Sequence, residues 1–321
     1  MIDKKIIKLC DSKLSSFSGT CNTNDFSDMK APFTREEILY HYCSLDTFYK
    51  IVNNNSFWLS SPRFMNDLSE YKYSIDIILK SIDEYIKSYK LSDNENKLLD
   101  AIRSMIALHK SESCSFTENQ YIKLDYFMCF SSMRDYLPLW SMYRGDNTGI
   151  SIGFDFKDFN PLPKGFFLDM IYNENDSNFS YRNFINNVLN FYEKELLPII
   201  DNSSVNQITG YLAWGAASYI VNNSINQKDS SFSHEKETRF ILRSYDKGDL
   251  KFRATNKFIV PYIDYKYPEE RLPITSITVS PYAEEKDLVL DSIKGYLDYK
   301  GYDVSPSGID FKQSKVPFKP R

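Results

Sequence analysis

Long apolar runs, metal-ligand clusters and nucleotide-loop motifs are all missing from this sequence. No stretch reaches the roughly 18–20 apolar residues that a membrane-spanning helix needs. The three histidines show no metal-ligand spacing, and the five cysteines include no Cys-x-x-Cys pair. The motifs GxGxxG, GxxxxGK[ST], HExxH and GxSxG are also absent. We therefore expect no membrane segment, no metal, and none of the ordinary dinucleotide, P-loop, zincin or hydrolase sites.

Glycine and proline are scarce as well, with 11 and 13 in 321 residues, which disfavours long linkers and low-complexity segments. A net charge of −4 argues against broad binding of nucleic acid. The odd, widely spaced cysteines indicate reduced thiols. The N-terminal nine residues carry charges inside a short apolar run and so do not resemble a signal peptide. These features together predict a cytoplasmic protein.

What the sequence does contain is apolar and aromatic mass, at 42% and 16% of its residues, in alternating strand and helix patterns. Residues 1–30 are polar and predict a poorly ordered N-terminal extension. Residues 31–321 predict a single α+β domain with helical insertions at about 70–112 and 178–225. The expected strands are 38–43, 57–61, 126–131, 150–154, 235–242, 257–262 and 274–279. The expected helices include 47–53, the two stripes at 75–82 and 98–106, 178–197, 206–223 and 284–299.

Polar side chains interrupt these otherwise apolar strands, and they are the candidate site residues. Glu235 and Glu237 stand two apart, so that on a strand both carboxylates face one side, with Arg239 extending the row. The other candidates are His41, Ser60, Ser61, Arg63, Asn66, Asp67, Trp140 and Tyr143.

Each candidate also has a plain structural alternative. His41 alone fits a core or surface histidine, the two serines fit a turn before Pro62, and Trp140 with Tyr143 fits the core. The charged segment 235–239 fits the solvated face of an edge strand, where charge guards against aggregation. Only the order of these residues along the chain favours a site.

That order resembles the bacterial family known as domain of unknown function 2971. One departure is Leu68, which stands where the family often has proline after Asn-Asp. The resembling segments lie between about residues 38 and 318 and are Leu39–Tyr42, Phe57–Asp67 with Glu70, Cys129–Ser131, Leu139–Tyr143, Gly149–Phe154, Glu235–Arg239, Val279–Pro281 and Ser314–Pro317.

The family in turn looks like a divergent branch of the ADP-ribosyltransferase fold, which implies a split mixed β-sheet core. By that resemblance His41 binds the adenosine or phosphate side of NAD, and Ser61 or Ser60 supports the nicotinamide ribose. Glu237 is then the catalytic carboxylate, and Glu235 assists the acceptor. NAD enters as substrate, without a metal.

Physical reasoning adds three further expectations for such a site. Cleavage of the N-glycosidic bond develops positive charge on the ribose, which a carboxylate stabilises. Trp140 or Tyr143 would stack on the cationic nicotinamide ring. Arg63 or Arg239 would pair with the pyrophosphate. Asn66 and Asp67 are also expected to bind the cofactor, although the pair is equally consistent with a loop cap.

The leading hypothesis is therefore an NAD-dependent ADP-ribosyltransferase, of the glycosyltransferase class. It would be a toxin-like or phage-defence effector with a protein or nucleic-acid acceptor and a neutralising or regulatory protein partner. The alternative is a catalytically inactive nucleotide- or protein-binding module of the same fold. A third hypothesis is a nucleic-acid-acting enzyme that uses a basic tail of Lys312, Lys315, Lys319 and Arg321.

Overall fold

A computed structural model of the chain describes most of its residues and divides into two compact units. The described residues are 3–17, 37–61, 64, 70–112, 126–143, 148–158, 165–172, 174–223, 227–242, 247–255 and 257–317. The helical unit comprises the described parts of Met1–Ala31, Asn66–Glu118 and Ile171–Ser230. The sheet unit comprises those of Pro32–Met65, Asn119–Met170 and Ser231–Arg321. Where the sequence predicted one domain with helical insertions, both insertions lie in the helical unit.

The helical unit is built from amphipathic helices around a shared apolar core. Its members are α1 (Lys4–Phe17), α3 (Glu70–Ser88), α4 (Asp93–Glu112), α6 (Glu174–Phe191) and α7 (Val205–Asn223). A π-helical turn, Tyr192–Leu196, and a 3₁₀ turn, Leu197–Ile199, follow α6. Both predicted stripes face the core, since Ile75, Ile78 and Ile82 of α3 are buried, as are Leu98, Leu99, Ile102 and Ile106 of α4.

Two details of this unit follow directly from local chemistry. Ser92 and Glu95 form a reciprocal capping box at the start of α4, each side chain accepting the other's backbone N–H. Helix α1 differs from the predicted loose extension, because Cys10 and Leu14 recur four residues apart and are buried in the helical core. The polar composition of the segment conceals this narrow apolar stripe. The remainder of that predicted extension lies outside the described residues.

The described residues of the sheet unit form a mixed sheet of ten strands, which confirms the α+β class. The strands are β1 (Leu39–Ser44), β2 (Ser56–Ser60), β3 (Tyr126–Ser131), β4 (Gly149–Phe154), β5 (Gly165–Asp169), β6 (Glu237–Leu242), β7 (Leu250–Ala254), β8 (Ile259–Lys266), β9 (Ile274–Val279) and β10 (Asp310–Gln313). Helices α2 (Leu45–Asn54) and α8 (Lys286–Tyr299) bury apolar faces in its core. Helix α5 (Leu137–Tyr143) and 3₁₀ turns Ser230–Glu235 and Lys247–Asp249 complete it.

The local signals around α2 act as the sequence indicates. Ser44 caps the helix by accepting the N–H of Thr47, and Asn55 ends it in a left-handed conformation with φ of 48°. Phe48, Ile51 and Val52 are buried on one face. Burial of such side chains contributes about 1.5–3 kcal/mol each to folding. The helix therefore links β1 to β2 through a tight, well-packed connection.

The sheet forks around β3. One edge of β3 pairs with β6 along its whole length. On the other edge, within the described residues, β1 pairs through Tyr40–Ser131 alone and β2 through Ser60–Phe127 alone. Strand β1 continues along β4, whereas β2 continues along β8. The fork leaves Cys129, midway along β3, between the two diverging strands.

Candidate functional site

Glu237 and Arg239 form a buried ion pair at the start of β6. Arg239 Nε donates to Glu237 Oε1 at 2.7 Å, and the two side chains are 2% and 4% exposed. The guanidinium carbon lies 4.2 Å from the centroid of the Phe127 ring. Each charge here depends on the other, because an unpaired ion removed from water is costly. Arg239 is therefore committed to Glu237 rather than presented to a pyrophosphate.

Strand β6 is an internal strand, which overturns the solvated-edge interpretation of the charged segment. It is hydrogen-bonded to β3 on one side and to β5 on the other. All six of its residues are buried. Thr238, on the opposite face from Glu237, donates to Asp169 Oδ1 at 2.7 Å. The segment thus carries its charges into the interior of the sheet unit.

Glu235 does not stand on the strand with Glu237, so the prediction of two carboxylates on one strand face is wrong. Glu235 ends the 3₁₀ turn Ser230–Glu235, and Lys236 has a φ of 47°. A left-handed residue reverses the local chain direction, and period-two alternation then no longer applies. Both carboxylates are nevertheless buried, at 3% and 5% exposure, while the lysine between them is exposed.

The end of β3 holds this segment in place. Ser131 Oγ donates to the carbonyl oxygen of Glu235 at 2.6 Å. The backbone N–H of Ser132 donates to the carbonyl oxygen of Lys236 at 3.2 Å. Tyr143 Oη lies 3.5 Å from Glu235 Oε1, the outer limit of a hydrogen bond. Tyr143 thereby meets one of the two candidate carboxylates at its side chain.

His41 lies at the fork and is neutral. Its Nδ1 is 2.9 Å from the carbonyl oxygen of Cys129, which can only accept, so Nδ1 carries the proton. Burial lowers the pKa of His41 to about 4, against a smaller opposing effect of this hydrogen bond. The Nε2 atom has no hydrogen-bond partner among the described residues. His41 therefore offers an acceptor, and not a positive charge, to a ligand.

The register separates the predicted site residues by sheet face. Directly opposed residues of an antiparallel pair share a face, so Glu237 lies beside Ser131 and Arg239 beside Cys129. Ser60 opposes Phe127, which packs under Arg239, and so shares that face.

His41 and Ser61 belong to the other face. His41 stands two residues from each of the core residues Leu39 and Cys43 and so shares their face, and its ring centroid lies 5.9 Å from that of Phe130. Ser61 follows Ser60 by one residue, is fully buried, and its hydroxyl has no hydrogen-bond partner in the described part of the chain. Of the two serines, Ser60 is the one that accompanies Glu237.

Trp140 is a core residue. Its indole is 1% exposed, packs edge-on against Tyr42 with ring centroids 4.7 Å apart, and donates from Nε1 to Asp135 Oδ1 at 2.7 Å. No face of this ring is open for stacking on a nicotinamide. The structural alternative therefore describes Trp140 in this structure, whereas Tyr143 is half-buried.

Asp135 and Arg134, which sequence reasoning missed, organise the loop after β3. Asp135 accepts from Trp140, from Ser314 Oγ at 2.7 Å and from the backbone N–H of Lys315 at 2.8 Å. Arg134 bonds Asp310 through Nη1 at 2.6 Å and Thr278 through Nε at 3.0 Å. Apart from Trp140, these partners lie far along the chain, so no local pattern indicates the two residues.

Several predicted residues cannot be placed. Arg63, Asn66 and Asp67 lie outside the described residues, as do Lys319 and Arg321 of the basic tail. Lys312 pairs with Asp310 at 2.7 Å. No group of three or more His, Cys, Asp or Glu side chains is arranged for a metal ion within the described ranges. None of the helices that the structure describes is long and apolar enough to cross a membrane.

The comparisons with known proteins give one result. The family described as "Protein of unknown function (DUF2971)" matches residues 139–240, about a third of the chain. This match supports the similarity of the sequence to that family. The matched segment includes Trp140, Tyr143, Glu235, Glu237 and Arg239. No curated protein and no solved structure matches the chain.

Proposed function

We propose that this chain is an NAD-dependent ADP-ribosyltransferase whose catalytic carboxylate is Glu237. The observation that carries the proposal is the Glu237–Arg239 ion pair on an internal strand. The pair lies on the same sheet face as Ser60, and Arg239 is the β6 residue opposite Cys129 at the fork. Buried charges of this kind cost stability, and such costs concentrate at functional sites.

The proposed chemistry is displacement at the nicotinamide ribose. The bond from ribose C1′ to the nicotinamide nitrogen breaks, and its electron pair leaves with neutral nicotinamide. The positive charge then resides on the ribose. Glu237, oriented by Arg239, stabilises this charge and accepts a hydrogen bond from the 2′-hydroxyl. The acceptor nucleophile forms the new bond to C1′ and loses its proton to Glu235.

The remaining residues of the proposal bind and orient the dinucleotide. Ser60 supports the nicotinamide ribose, because it shares the face of Glu237. His41 lies on the opposite sheet face from Glu237 and Ser60, so the proposal assigns it no contact with the nicotinamide ribose. Because it is neutral with its proton on Nδ1, its Nε2 can only accept a hydrogen bond. Tyr143 is proposed to stack on the nicotinamide ring and Arg63 to pair with the pyrophosphate, and Asn66 and Asp67 are further proposed cofactor-binding residues. Ser61 lies on the other sheet face, so the proposal gives the ribose role to Ser60 alone.

Nicotinamide release from NAD tests this proposal. Wild type, Glu237→Gln and the matched control Glu284→Gln are each incubated with NAD, and the nicotinamide released is measured by chromatography. Glu284 is an exposed carboxylate of the same unit. We expect release by wild type and control and a loss of at least about 100-fold in Glu237→Gln. Induced expression of wild type, and not of Glu237→Gln, is expected to slow bacterial growth. Equal release by wild type and Glu237→Gln overturns the proposal.

A second candidate, a non-enzymatic nucleotide- or protein-binding module, has its own supporting observation. Glu237 Oε1 already accepts from Arg239 in a nearly dry pair, as a purely structural ion pair does. In that case NAD or ADP-ribose raises the melting temperature without turnover. Nicotinamide release that depends on Glu237 decides for the enzyme.

A further inference from the structure

Arg253, Ser60 and Trp58 form a polar cluster on the face of β2, β8 and β7. Arg253 Nη2 donates to Ser60 Oγ at 3.3 Å, and its guanidinium carbon lies 5.5 Å from the centroid of the Trp58 ring. Tyr262 packs against Trp58, and the centroids of the two rings lie 5.1 Å apart. Trp58 and Arg253 are half-buried, and Ser60 is buried.

Hydrogen-bond donors in this cluster lack acceptors. Arg253 Nε and Trp58 Nε1 are both buried, and neither has a hydrogen-bond partner in the described chain. Buried donors of native proteins are rarely left in this state unless a water, an ion or a ligand completes them. Two such donors beside a serine hydroxyl make an arrangement that can only be completed by an acceptor.

Charge balance sets Arg253 apart from its neighbours. Lys251 and Lys266 share Asp264 at 2.8 and 3.3 Å, and Lys50 bonds Asp46 at 2.6 Å. For Arg253, by contrast, no carboxylate lies within ion-pair distance among the described residues. Burial accordingly lowers the pKa of Arg253. An anion at this position would restore the missing counter-charge.

We propose that Arg253, with Ser60 and Trp58, binds the diphosphate of a nucleotide. This inference rests on the proposed function, since Ser60 belongs to both sites. A diphosphate presents several acceptor oxygens with delocalised negative charge, and a guanidinium meets such a group with a fork of donors. Because Arg239 is committed to Glu237, Arg253 takes the phosphate-pairing role within the described chain.

Calorimetric titration of the whole protein with ADP, adenosine and inorganic pyrophosphate tests the inference without turnover. We expect wild type to bind ADP and pyrophosphate more tightly than adenosine. Arg253→Gln is expected to weaken ADP binding by about 10- to 100-fold while leaving adenosine binding unchanged. Arg253→Lys recovers only part of the affinity, and Trp58→Phe loses severalfold. The matched control Arg271→Gln, an exposed arginine of the same unit, binds as wild type does.

The two proposals fail in different ways. ADP binding that depends on Arg253, without nicotinamide release from NAD, preserves the diphosphate site and rejects the transferase. Nicotinamide release by an Arg253→Gln variant with unchanged KM and unchanged ADP affinity rejects the diphosphate site and keeps the transferase. A folded Arg253→Gln variant that still binds ADP as wild type does, or a wild type that binds a single-stranded oligonucleotide but not ADP, overturns the inference.

Discussion

His41 donates its Nδ1 proton to the backbone carbonyl of Cys129, 2.9 Å away and 88 residues later in the chain. The bond spans the fork, because Cys129 sits where β1 and β2 have both left β3. A backbone carbonyl of β3 is thus hydrogen-bonded to a side chain at the point where β1 and β2 diverge. The same bond fixes the tautomer of His41 and so determines what its other nitrogen offers.

This arrangement predicts a specific dependence of stability on pH. The pKa of His41 is lowered from 6.5 to about 4 in the folded protein. Between these values the unfolded chain binds a proton that the folded chain does not. The contribution of His41 to the free energy of unfolding is therefore complete above pH 6.5. It is lost as the pH falls towards 4, by up to about 3 kcal/mol. Urea unfolding at pH 7.5 and 5.0 measures the difference, and His41→Gln should flatten it. Identical pH slopes in the two proteins would contradict the assignment.

The Glu237–Arg239 pair predicts a non-additive pattern of mutational effects. Glu237→Leu or Arg239→Met alone leaves one charge buried without its partner and should cost about 3–5 kcal/mol. The double variant replaces both charges by apolar groups and should lie much closer to wild type. Urea denaturation of the four proteins gives the coupling energy. Asp83→Ala with Arg103→Ala, an exposed pair, serves as control and should couple by less than about 1 kcal/mol. Additive losses in the buried pair would refute this interpretation.

Asp135 predicts a local effect at the C-terminal segment. Asp135→Ala leaves the Trp140 indole N–H and the Lys315 backbone N–H without their acceptor and should cost about 2–4 kcal/mol. Hydrogen exchange at the amides of Lys315 and Val316 should accelerate, while exchange in the helical unit stays unchanged. Glu285→Ala, an exposed neighbour of the sheet unit, is the control. Unchanged exchange at both amides would contradict this role of Asp135.

The backbone conformation of Lys236 leads us to expect different changes in stability from two substitutions at this position. Its φ of 47° is strained for a β-branched residue and unstrained for glycine. Lys236→Ile should destabilise the protein by about 1–2 kcal/mol, whereas Lys236→Gly should be neutral or stabilise it by up to about 1 kcal/mol. Lys300, with φ of −80°, is the control and should show no such gain with glycine. Thermal denaturation of wild type and of these three variants decides, and a loss of stability in Lys236→Gly would go against the prediction.

The sequence predicted those elements whose signal is local. Strands 126–131 and 274–279 match β3 and β9 residue for residue, and the apolar stripes of α3 and α4 face the core as expected. Ser44 and the Ser92–Glu95 box mark helix starts that their residue types announce. Continuous apolar runs and capping residues depend only on near neighbours, which a single sequence contains.

Elements that depend on distant partners were beyond such reading. Strands β7 and β10 carry no continuous apolar run, and the run in β5 is only three residues long, Phe166–Leu168. Each of the three strands is defined by its pairing with β8, β9 or β6, respectively. The left-handed Lys236 interrupts what looks like one charged strand, because its conformation is held by Ser131 and Ser132, more than 100 residues earlier. The grouping of Ser60 with Glu237 likewise follows from register, which the composition of either strand does not contain.

The contacts of Asp135 also bear on the order of events during synthesis. Ser314 emerges 179 residues after Asp135. At translation speeds of roughly 5–20 residues per second, that interval lasts on the order of 10–40 s. Throughout it, Asp135 has its near neighbour Trp140 but lacks the two C-terminal partners, Ser314 and Lys315, that bond it in the finished protein. A nascent chain would therefore carry Glu237 before Ser314 and Lys315 have been synthesised to bond Asp135.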